Sequence, residues 1–505
     1  MSRNRVENLL FFLSLVLIAM AAFMLLGANG YVLFDDSGSY INLERYMEGV
    51  MPAYPLFLRL NRVLFGEADY LYAVVVEQAV FACACMIVLT NVLRRQFDLK
   101  YWQCYCVFLL LLLPFTTDMP DAMTTQEILT EGIAYAAFYL FMALFLKAAW
   151  TKQLRYVLFL FIITLFLSSL RSQLQILFGA CGIIFFYIVL MGWETVEKKR
   201  TGPRILLGIC GCMCIGFVGI WCTGRISIAY QNMIRQYTRE MQRIETQANH
   251  PEEAEDDEEE ETQEGLENSA NASQYTSLIF ARGMYEADYE DYLLFEDEQM
   301  QQLFLQLYET AEQNESLYTY AKPGLWMWRD VVNGIGASGS KCYQTMAVFY
   351  NNIPEIIQNY DRGLVLNNGA KTIGMTLLKA HMGRFLYHTL IMLPQAFICT
   401  VFFQIERIYL LCHLVTLFLY ITAAALMIWA YADCRVNKAY GEFMASVLGI
   451  NLLMIFVLSL VFFGQQRYLV YNFGIFYAAY FLLLLQLWEI YGKNWLKRWM
   501  NRKKS

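Results

Sequence analysis

The sequence predicts an all-α protein that crosses a membrane many times. Of its 505 residues, 58% are hydrophobic and only 16% are charged, and the mean hydropathy is positive. Apolar runs of about 18 residues or more recur along the chain, and a helix of that length crosses the hydrocarbon of a bilayer. These observations favour a polytopic membrane protein over a soluble domain.

Ten apolar segments are predicted to span the membrane. The first, Leu9 to Leu26, follows Arg3 and Arg5 and exceeds the usual core of a cleaved leader. We therefore expect a retained anchor with a cytoplasmic amino terminus. The other nine segments are Leu71 to Leu93, Tyr105 to Phe115, Ile128 to Leu146, Tyr156 to Leu170, Leu174 to Met191, Ile205 to Thr223, Ile408 to Tyr431, Phe443 to Phe463 and Leu469 to Trp488.

A further segment, Phe385 to Phe403, is nearly long enough to span the membrane but contains a proline and polar side chains. Helical spacing places His381, Arg384 and His388 near one face, which suits a helix that lies in the interface under an outer region. Counting it as an eleventh span would export the basic carboxy-terminal tail. The positive-inside bias therefore favours ten spans and a cytoplasmic carboxy terminus.

The chain divides into three predicted parts. Residues 1–223 form a transmembrane core of about seven spans. Residues 224–384 form a small extracytoplasmic region in which Tyr292 to Tyr308 suits an amphipathic helix. Its acidic insertion, residues 250–268, cannot bury enough apolar surface to fold. Residues 385–505 hold the interfacial helix, the last three spans and the basic tail.

Several common kinds of functional site have no signature in the sequence. There is no Walker loop, no dinucleotide glycine fingerprint, no His-Glu-x-x-His zinc site and no Gly-x-Ser-x-Gly elbow. The thirteen cysteines fall mostly inside apolar segments, so we interpret them as small buried hydrophobic residues. The basic tail suits a juxtamembrane anchor, and we expect no nucleic-acid partner.

The first outer loop, residues 28–70, begins with two adjacent carboxylates. Asp35 and Asp36 follow the first span directly, and a short amphipathic helix with Tyr40 on its apolar face comes next. The two acids could simply cap that helix, or they could supply a base at the membrane surface. The sequence leaves both interpretations open.

Four more charged residues are candidates for chemistry. Glu131 heads an apolar helix, where a carboxylate suits the helix dipole. Arg171 and Arg467 each lie in a very short outer turn, where each could snorkel or could hold a lipid phosphate by paired hydrogen bonds. Glu77 lies about 9 Å inside the second span, where it could be functional or could pair with a neighbouring helix.

The order of these motifs resembles that of the GT-C superfamily of glycosyltransferases, which use polyprenyl-phosphate sugars. The family includes protein O-mannosyltransferases and lipid A aminoarabinose transferases. The resemblance covers the seven-span core, and Ser172 stands where the family often has a proline, which leaves the substrate subclass open. The matching residues are Asp35, Asp36, Tyr40, Pro52, Tyr54, Pro55, Thr130-Glu131, Leu170-Arg171, Gln173 and Arg467-Tyr468.

The resemblance implies a fold and an activity. It implies a GT-C-like helical core and inverting transfer of a sugar from a polyprenyl phosphate to an acceptor hydroxyl on a lipid, glycan or protein. The reaction would occur on the extracytoplasmic side of a bacterial cytoplasmic membrane.

It also implies roles for single residues. Asp36 would be the base, Asp35 its close alternative and Glu131 a second carboxylate, and these three could hold a divalent metal. No other cofactor is implied. Expected substrate contacts are Arg171, Arg467, Tyr40, Tyr54, Gln173, Tyr468, His381 and Arg384.

Two other functions stay open at this point. A transporter or flippase of a lipid-linked glycan tends to carry charges near the bilayer midplane, whereas charge here gathers at the outer face. Glu77 is the exception, and because of it a transporter stays a possible function. A non-catalytic relative that acts in the assembly of envelope glycans would tolerate the loss of both aspartates.

Overall fold

The computed structural model describes residues 3–27, 30–34, 37–41, 51–116, 125–191, 201–249, 274–320, 366–398, 400–401, 409–461 and 469–492. Within these residues the chain is helical, apart from loops and an isolated parallel bridge between Val32 and Glu127. Eight of the described helices are long and apolar enough to cross a membrane. The chain is thus an all-α, multi-pass membrane protein, which confirms the fold class predicted from composition.

The described part of the chain contains fifteen α-helices. They are α1 (Arg3–Gly27), α2 (Ser37–Ile41), α3 (Ala53–Phe97), α4 (Tyr101–Thr116), α5 (Glu131–Thr151), α6 (Leu154–Leu170), α7 (Leu177–Met191), α8 (Thr201–Asn249), α9 (Gln274–Tyr285), α10 (Glu298–Gln313), α11 (Leu366–Ala380), α12 (Met382–Ile398), α13 (Tyr409–Ala432), α14 (Lys438–Val461) and α15 (Phe473–Leu487).

The apolar helices occupy the positions of the predicted spans. The eight long ones are α1, α3, α5, α7, α8, α13, α14 and α15, the last extended at both ends. Two shorter apolar helices, α4 and α6, lie where the remaining two spans are predicted. The interfacial helix predicted from Phe385 corresponds to α12. How many of these helices cross the bilayer stays a prediction.

Helix α5 lies at the centre of the bundle. It packs against α3, α6 and α7, and most of its side chains are buried. Small side chains let neighbouring helix backbones approach closely inside a membrane protein. The buried small residues of α5 are Gly132, Ala134, Ala136, Ala137, Ala143 and Ala148.

Helix α3 bends sharply at Gly66. This residue has φ 78° and ψ 170°, a conformation that is essentially restricted to glycine. Residues 53–65, which we call the arm, therefore form a separate helical piece within the predicted first outer loop. Asn61 Nδ2 of the arm donates to Glu77 Oε2 at 3.0 Å, so the arm lies against the second apolar segment. Glu77 thus has a partner on a neighbouring helical piece.

The arm carries several apolar side chains that are exposed in the described part of the structure. An amphipathic helix of this kind suits the boundary between lipid headgroups and acyl chains. The exposed apolar residues are Leu56, Leu60, Val63, Leu64 and Phe65.

Helix α8 continues past the predicted end of the seventh span. It contains 49 residues and neither glycine nor proline after Gly224. At about 1.5 Å per residue it is about 73 Å long, more than twice the thickness of bilayer hydrocarbon. The predicted boundary between residues 223 and 224 therefore falls inside one helix, and part of α8 must extend beyond the bilayer.

The described part of residues 224–384 has its own apolar core. Helices α9, α10 and α11 pack together through buried side chains that include Phe280, Phe304 and Ile373. The helix predicted from Tyr292 begins later, because the Asp297 carboxylate accepts the Gln299 backbone N–H at 3.2 Å and caps α10. The predicted acidic insertion, residues 250–268, lies outside the described part.

Two glycines allow α9 and α11 to cross closely. A Cβ atom added at Gly283 would lie 2.7 Å from the carbonyl oxygen of Gly374, and one added at Gly374 would lie 2.6 Å from Cα of Phe280. Backbone atoms cannot move aside as a flexible side chain can. This crossing therefore requires residues without a side chain.

We predict that Gly283→Ala destabilises this region by about 1–3 kcal/mol, the usual cost of overpacking. Amide hydrogen exchange of α9 in the purified full-length protein measures the effect. Gly383→Ala is the matched control, because nothing lies within 4 Å of a Cβ atom at that helical glycine. Alanine favours a helix by about 1 kcal/mol over glycine, so the control should be neutral or stabilising. Equal protection of α9 in both variants would contradict the close crossing.

Candidate functional site

A short backbone pairing joins the first outer loop to the segment before α5. The Val32 N–H donates to the Gln126 carbonyl at 3.0 Å, and the Ile128 N–H donates to the Val32 carbonyl at 3.1 Å. Glu127 and Ile128 are buried in this segment. We call this end of the helix bundle, where residues 30–34, 125–131 and 171–176 lie, the loop end.

A buried ion pair lies at the loop end. Glu131 is the first residue of α5, and Arg171 connects α6 to a 3₁₀ turn at Ser172–Ile176. Arg171 Nη1 and Glu131 Oε1 form a salt bridge, with side-chain exposures of 12% and 2%. Thr130 Oγ1 donates to the other carboxylate oxygen at 2.9 Å. Because a charge buried without a partner is very costly, each residue depends on the other.

This pairing bears on the roles predicted for both residues. The sequence predicts Glu131 as a second carboxylate and Arg171 as a ligand of a lipid phosphate. The structure brings the two side chains into direct contact, so the carboxylate neutralises the guanidinium. Any role of Arg171 toward a phosphate therefore involves Glu131 as well.

Gln78 connects the loop end to α3. Its Nε2 donates to the carbonyl oxygens of Thr125 at 2.8 Å and Glu127 at 3.0 Å, and its Oε1 accepts from the Tyr54 hydroxyl at 3.0 Å. Gln78 is fully buried, and a Cβ atom added at Gly132 would lie 2.7 Å from its side chain. Sequence reasoning missed Gln78. The available signal was an uncharged polar residue within an otherwise apolar run.

The predicted tyrosines adjoin this network. The rings of Tyr40 and Tyr54 lie 5.4 Å apart between centroids, and Glu131 is close enough to Tyr54 to act on it electrostatically. Gln173 Nε2 donates to the Tyr471 hydroxyl at 3.3 Å. Of the predicted residues, Tyr40, Tyr54, Glu131, Arg171 and Gln173 are thus brought to one end of the bundle.

Four other residues predicted for this site lie outside the described part of the chain. They are Asp35, Asp36, Arg467 and Tyr468. The residues on either side of the two acids are described, and Phe34 and Ser37 bond to each other. The Ser37 N–H donates to the Phe34 carbonyl at 2.9 Å, and the Phe34 N–H donates to Ser37 Oγ at 2.9 Å. Of the three ligands predicted for a metal, only Glu131 is described.

Three polar residues at the start of α12, His381, Arg384 and His388, contact one neighbouring segment. All three side chains reach the segment between α9 and α10. His381 Nε2 lies 2.7 Å from Asp291 Oδ2, and His388 Nδ1 lies 2.5 Å from Glu286 Oε2. We call this group the acid–histidine cluster; it contains Glu286, Asp288, Asp291, Tyr318, His381, Arg384 and His388.

Arg384 is held firmly by Asp288. Its two terminal nitrogens donate to the two carboxylate oxygens at 3.1 and 2.7 Å, and the Tyr318 hydroxyl donates to Asp288 Oδ1 at 2.9 Å. The predicted substrate contacts His381 and Arg384 thus contact this cluster. Among the described contacts, none joins either residue to the loop end.

The same cluster has the spacing of a metal site. One ligand atom from each of Asp288, Asp291 and His381 lies within 4.8 Å of the others. Arg384 already places a positive charge on both oxygens of Asp288. The ion pair therefore accounts for this carboxylate without a metal.

The surroundings of Asp288 shift its pKa. Burial raises the pKa, but the hydrogen bonds from Arg384 and Tyr318 and the positive charge of Arg384 outweigh burial, so that the pKa is lowered overall. The pKa of Arg384 is raised because the effect of Asp288 exceeds that of burial. The folded protein therefore favours the ionised pair.

We predict a strong coupling between Glu131 and Arg171. Glu131→Gln and Arg171→Gln should each destabilise the protein by about 3–5 kcal/mol, since each removes one member of a charge pair that is largely shielded from water. The double variant should lose less free energy of unfolding than the two single variants lose together. Equilibrium unfolding of the three variants measures this difference. Additive losses would show that the two side chains do not interact.

We also predict that acid weakens the acid–histidine cluster. A lowered pKa means that Asp288 contributes stability above the ordinary pKa of about 3.9 and loses it as the pH falls toward the folded value. The Tm, measured from about pH 6 to pH 3, should therefore fall less steeply with pH for Asp288→Asn than for the wild type. Glu296→Gln, which changes an exposed carboxylate nearby, is the control and should keep the wild-type profile. Identical profiles for the wild type and Asp288→Asn would contradict the pairing.

The loop end therefore combines a buried ion pair, a glutamine-centred network and the described residues that precede Asp35. Comparison of the chain with protein-family models, with curated proteins and with solved structures gives no match in any of the three.

Proposed function

We propose that this protein is a membrane glycosyltransferase that moves a sugar from a polyprenyl phosphate to an acceptor hydroxyl. The observation that carries the proposal is the backbone pairing of Val32 with the segment before α5. It brings the loop that continues into Asp35 and Asp36 toward the helix start that holds the buried pair of Glu131 and Arg171.

The proposed reaction needs a base for the acceptor. The hydroxyl oxygen bonds to the sugar's anomeric carbon while its proton passes to a carboxylate, Asp36 or its alternative Asp35. The bond from that carbon to the phosphate oxygen breaks, and the phosphate leaves with the electron pair, which inverts the configuration. An aspartate is a weak base in water, and partial desolvation at a membrane surface strengthens it.

The leaving phosphate needs positive charge near its oxygens. Preorganised cations stabilise the charge that develops in the transition state more than they stabilise the ground state. In this proposal Glu131 positions the Arg171 guanidinium, and Arg467 provides a second one. Asp35, Asp36 and Glu131 remain the residues that would hold a divalent metal if the reaction uses one.

The proposal includes a location. The helices α1, α3, α5, α7, α8, α13, α14 and α15 suit a lipid bilayer as the environment. We place the loop end on the extracytoplasmic side of a bacterial cytoplasmic membrane, with both termini in the cytoplasm, because basic residues gather in the opposite loops and the tail. The acceptor is a lipid, a glycan or a protein.

The surroundings of Glu77 reduce the support for a transporter. Glu77, the charged residue that kept this alternative open, accepts a hydrogen bond from Asn61 of the arm. Pairing with a neighbouring helical piece is the common reason for an ionisable group inside a membrane protein. The transferase is therefore the better-supported function.

We predict that Asp36→Asn, and to a lesser degree Asp35→Asn, lowers kcat by about 10² to 10⁴, the usual contribution of a general base. The assay measures transfer from a labelled polyprenyl-phosphate sugar by purified protein in liposomes. Asp98→Asn is the control, because Asp98 ends α3 far from the loop end in a left-handed conformation that asparagine tolerates. Full activity in both loop variants would remove these acids from the mechanism. Movement of the labelled lipid across the bilayer without transfer would instead support the transporter.

A further inference from the structure

A cavity lies between the arm and α8, next to the loop end. Its volume is about 360 Å³, within the range of about 300 to 1,000 Å³ that small-molecule sites occupy. The residues that matter for its chemistry are Tyr40, Leu58, Arg59, Arg62, Tyr70 and Tyr237. Its two arginines and Tyr237 were not singled out by the sequence analysis.

Arg59 is the main polar group of this cavity. Its guanidinium carbon lies 5.2 Å from the centre of the Tyr237 ring, and its side chain is exposed. Among the described residues no carboxylate pairs with it. A guanidinium that stacks on an aromatic ring keeps its N–H groups in the plane, where they can donate in pairs to a phosphate.

Arg62 adds a second positive charge one helical turn away. It forms a salt bridge with Glu67, but the two side chains are 50% and 67% exposed. Exposed ion pairs contribute little stability, so an incoming anion can replace this one at low cost. The two arginines and the single carboxylate leave the cavity lining with a net positive charge.

The position of the cavity indicates an amphiphilic ligand. The exposed apolar face of the arm suits the acyl-chain boundary, so a ligand with a lipid tail could place the tail there and its headgroup in the cavity. Tyr40 lines the cavity and also packs against Tyr54, whose hydroxyl bonds to Gln78. The cavity is therefore continuous with the network of the loop end.

We propose that this cavity binds the phosphate of a polyprenyl-phosphate lipid, with Arg59 as its principal ligand and Arg62 as a secondary one. The identity of the lipid rests on the proposed function, whereas the recognition of a lipid-linked phosphate rests on the cavity itself. Arg59 thereby shares the phosphate-binding role that the sequence analysis assigned to Arg171 and Arg467.

The test measures binding without turnover. Purified full-length protein in phosphatidylcholine nanodiscs is titrated with a fluorescent short-chain polyprenyl monophosphate, and with the polyprenol of equal length. We expect the monophosphate to bind at least about tenfold more tightly than the alcohol, since paired hydrogen bonds from a guanidinium favour the charged headgroup. Arg59→Gln should abolish this preference, Arg62→Gln should reduce it by a smaller factor, and Arg59→Lys should retain part of it.

The matched control is Arg155→Gln. Arg155 is also an exposed arginine stacked on a tyrosine, 5.1 Å from the centre of the Tyr156 ring, but it does not line the cavity. Its replacement should leave binding unchanged. Unchanged binding by both Arg59→Gln and Arg59→Lys would overturn the proposal, as would an equal loss in the control.

Two competitors separate the sources of the phosphate. The competitors are inorganic phosphate and phosphatidylglycerol. If either displaces the probe as effectively as unlabelled polyprenyl phosphate, the assignment to a polyprenyl lipid is wrong. The two proposals can fail separately. If probe binding needs Arg59 but the Asp36→Asn and Asp35→Asn variants still transfer sugar normally, the cavity is supported and the proposed base is contradicted.

Discussion

The need to neutralise a buried carboxylate sets the arrangement of the loop end. Glu131 is 2% exposed at the start of the central helix α5, and Arg171 provides the opposite charge from the turn after α6. Because removing either charge from water without the other costs several kcal/mol, the two connections are held together as one unit. The helix dipole at the start of α5 favours the same carboxylate. The pair is thus a structural constraint before it has any part in chemistry.

Other contacts extend from the loop end to the arm. Gln78 of α3 donates hydrogen bonds to the segment before α5, and it accepts a hydrogen bond from the Tyr54 hydroxyl in the arm. Gly66 allows the arm to leave the axis of α3, so its apolar face is exposed and its arginines reach a cavity beside α8. One continuous set of contacts thereby links the exposed apolar face of the arm, a positively charged cavity and the described part of the segment after α1.

The features that sequence could predict are local ones. The apolar segments follow from composition and length, and the shared face of His381, Arg384 and His388 follows from helical spacing. The bend at Gly66 and the partner of Arg171 depend on which helices become neighbours, and spacing along one chain does not contain that information. The composition changes from apolar to polar near residue 224, and this change led us to predict a boundary there. Helix α8 nevertheless continues through it, because no residue at that position stops a helix. For Asp35, Asp36, Arg467 and Tyr468 the expectation stands as a prediction, since these residues lie outside the described part.

The central claim is that the segment around Val32 lies against the segment that precedes α5. Disulfide cross-linking of a Val32→Cys, Glu127→Cys variant in the membrane tests it most directly, because a disulfide needs Cβ atoms about 3.5–4.5 Å apart. Peptide mapping by mass spectrometry should find these two positions joined after mild oxidation. The control pairs Val32→Cys with Asp98→Cys, at the far end of α3, and should stay unlinked. Failure of residues 32 and 127 to join, or equal joining of the distant pair, would contradict the arrangement on which the proposed site depends.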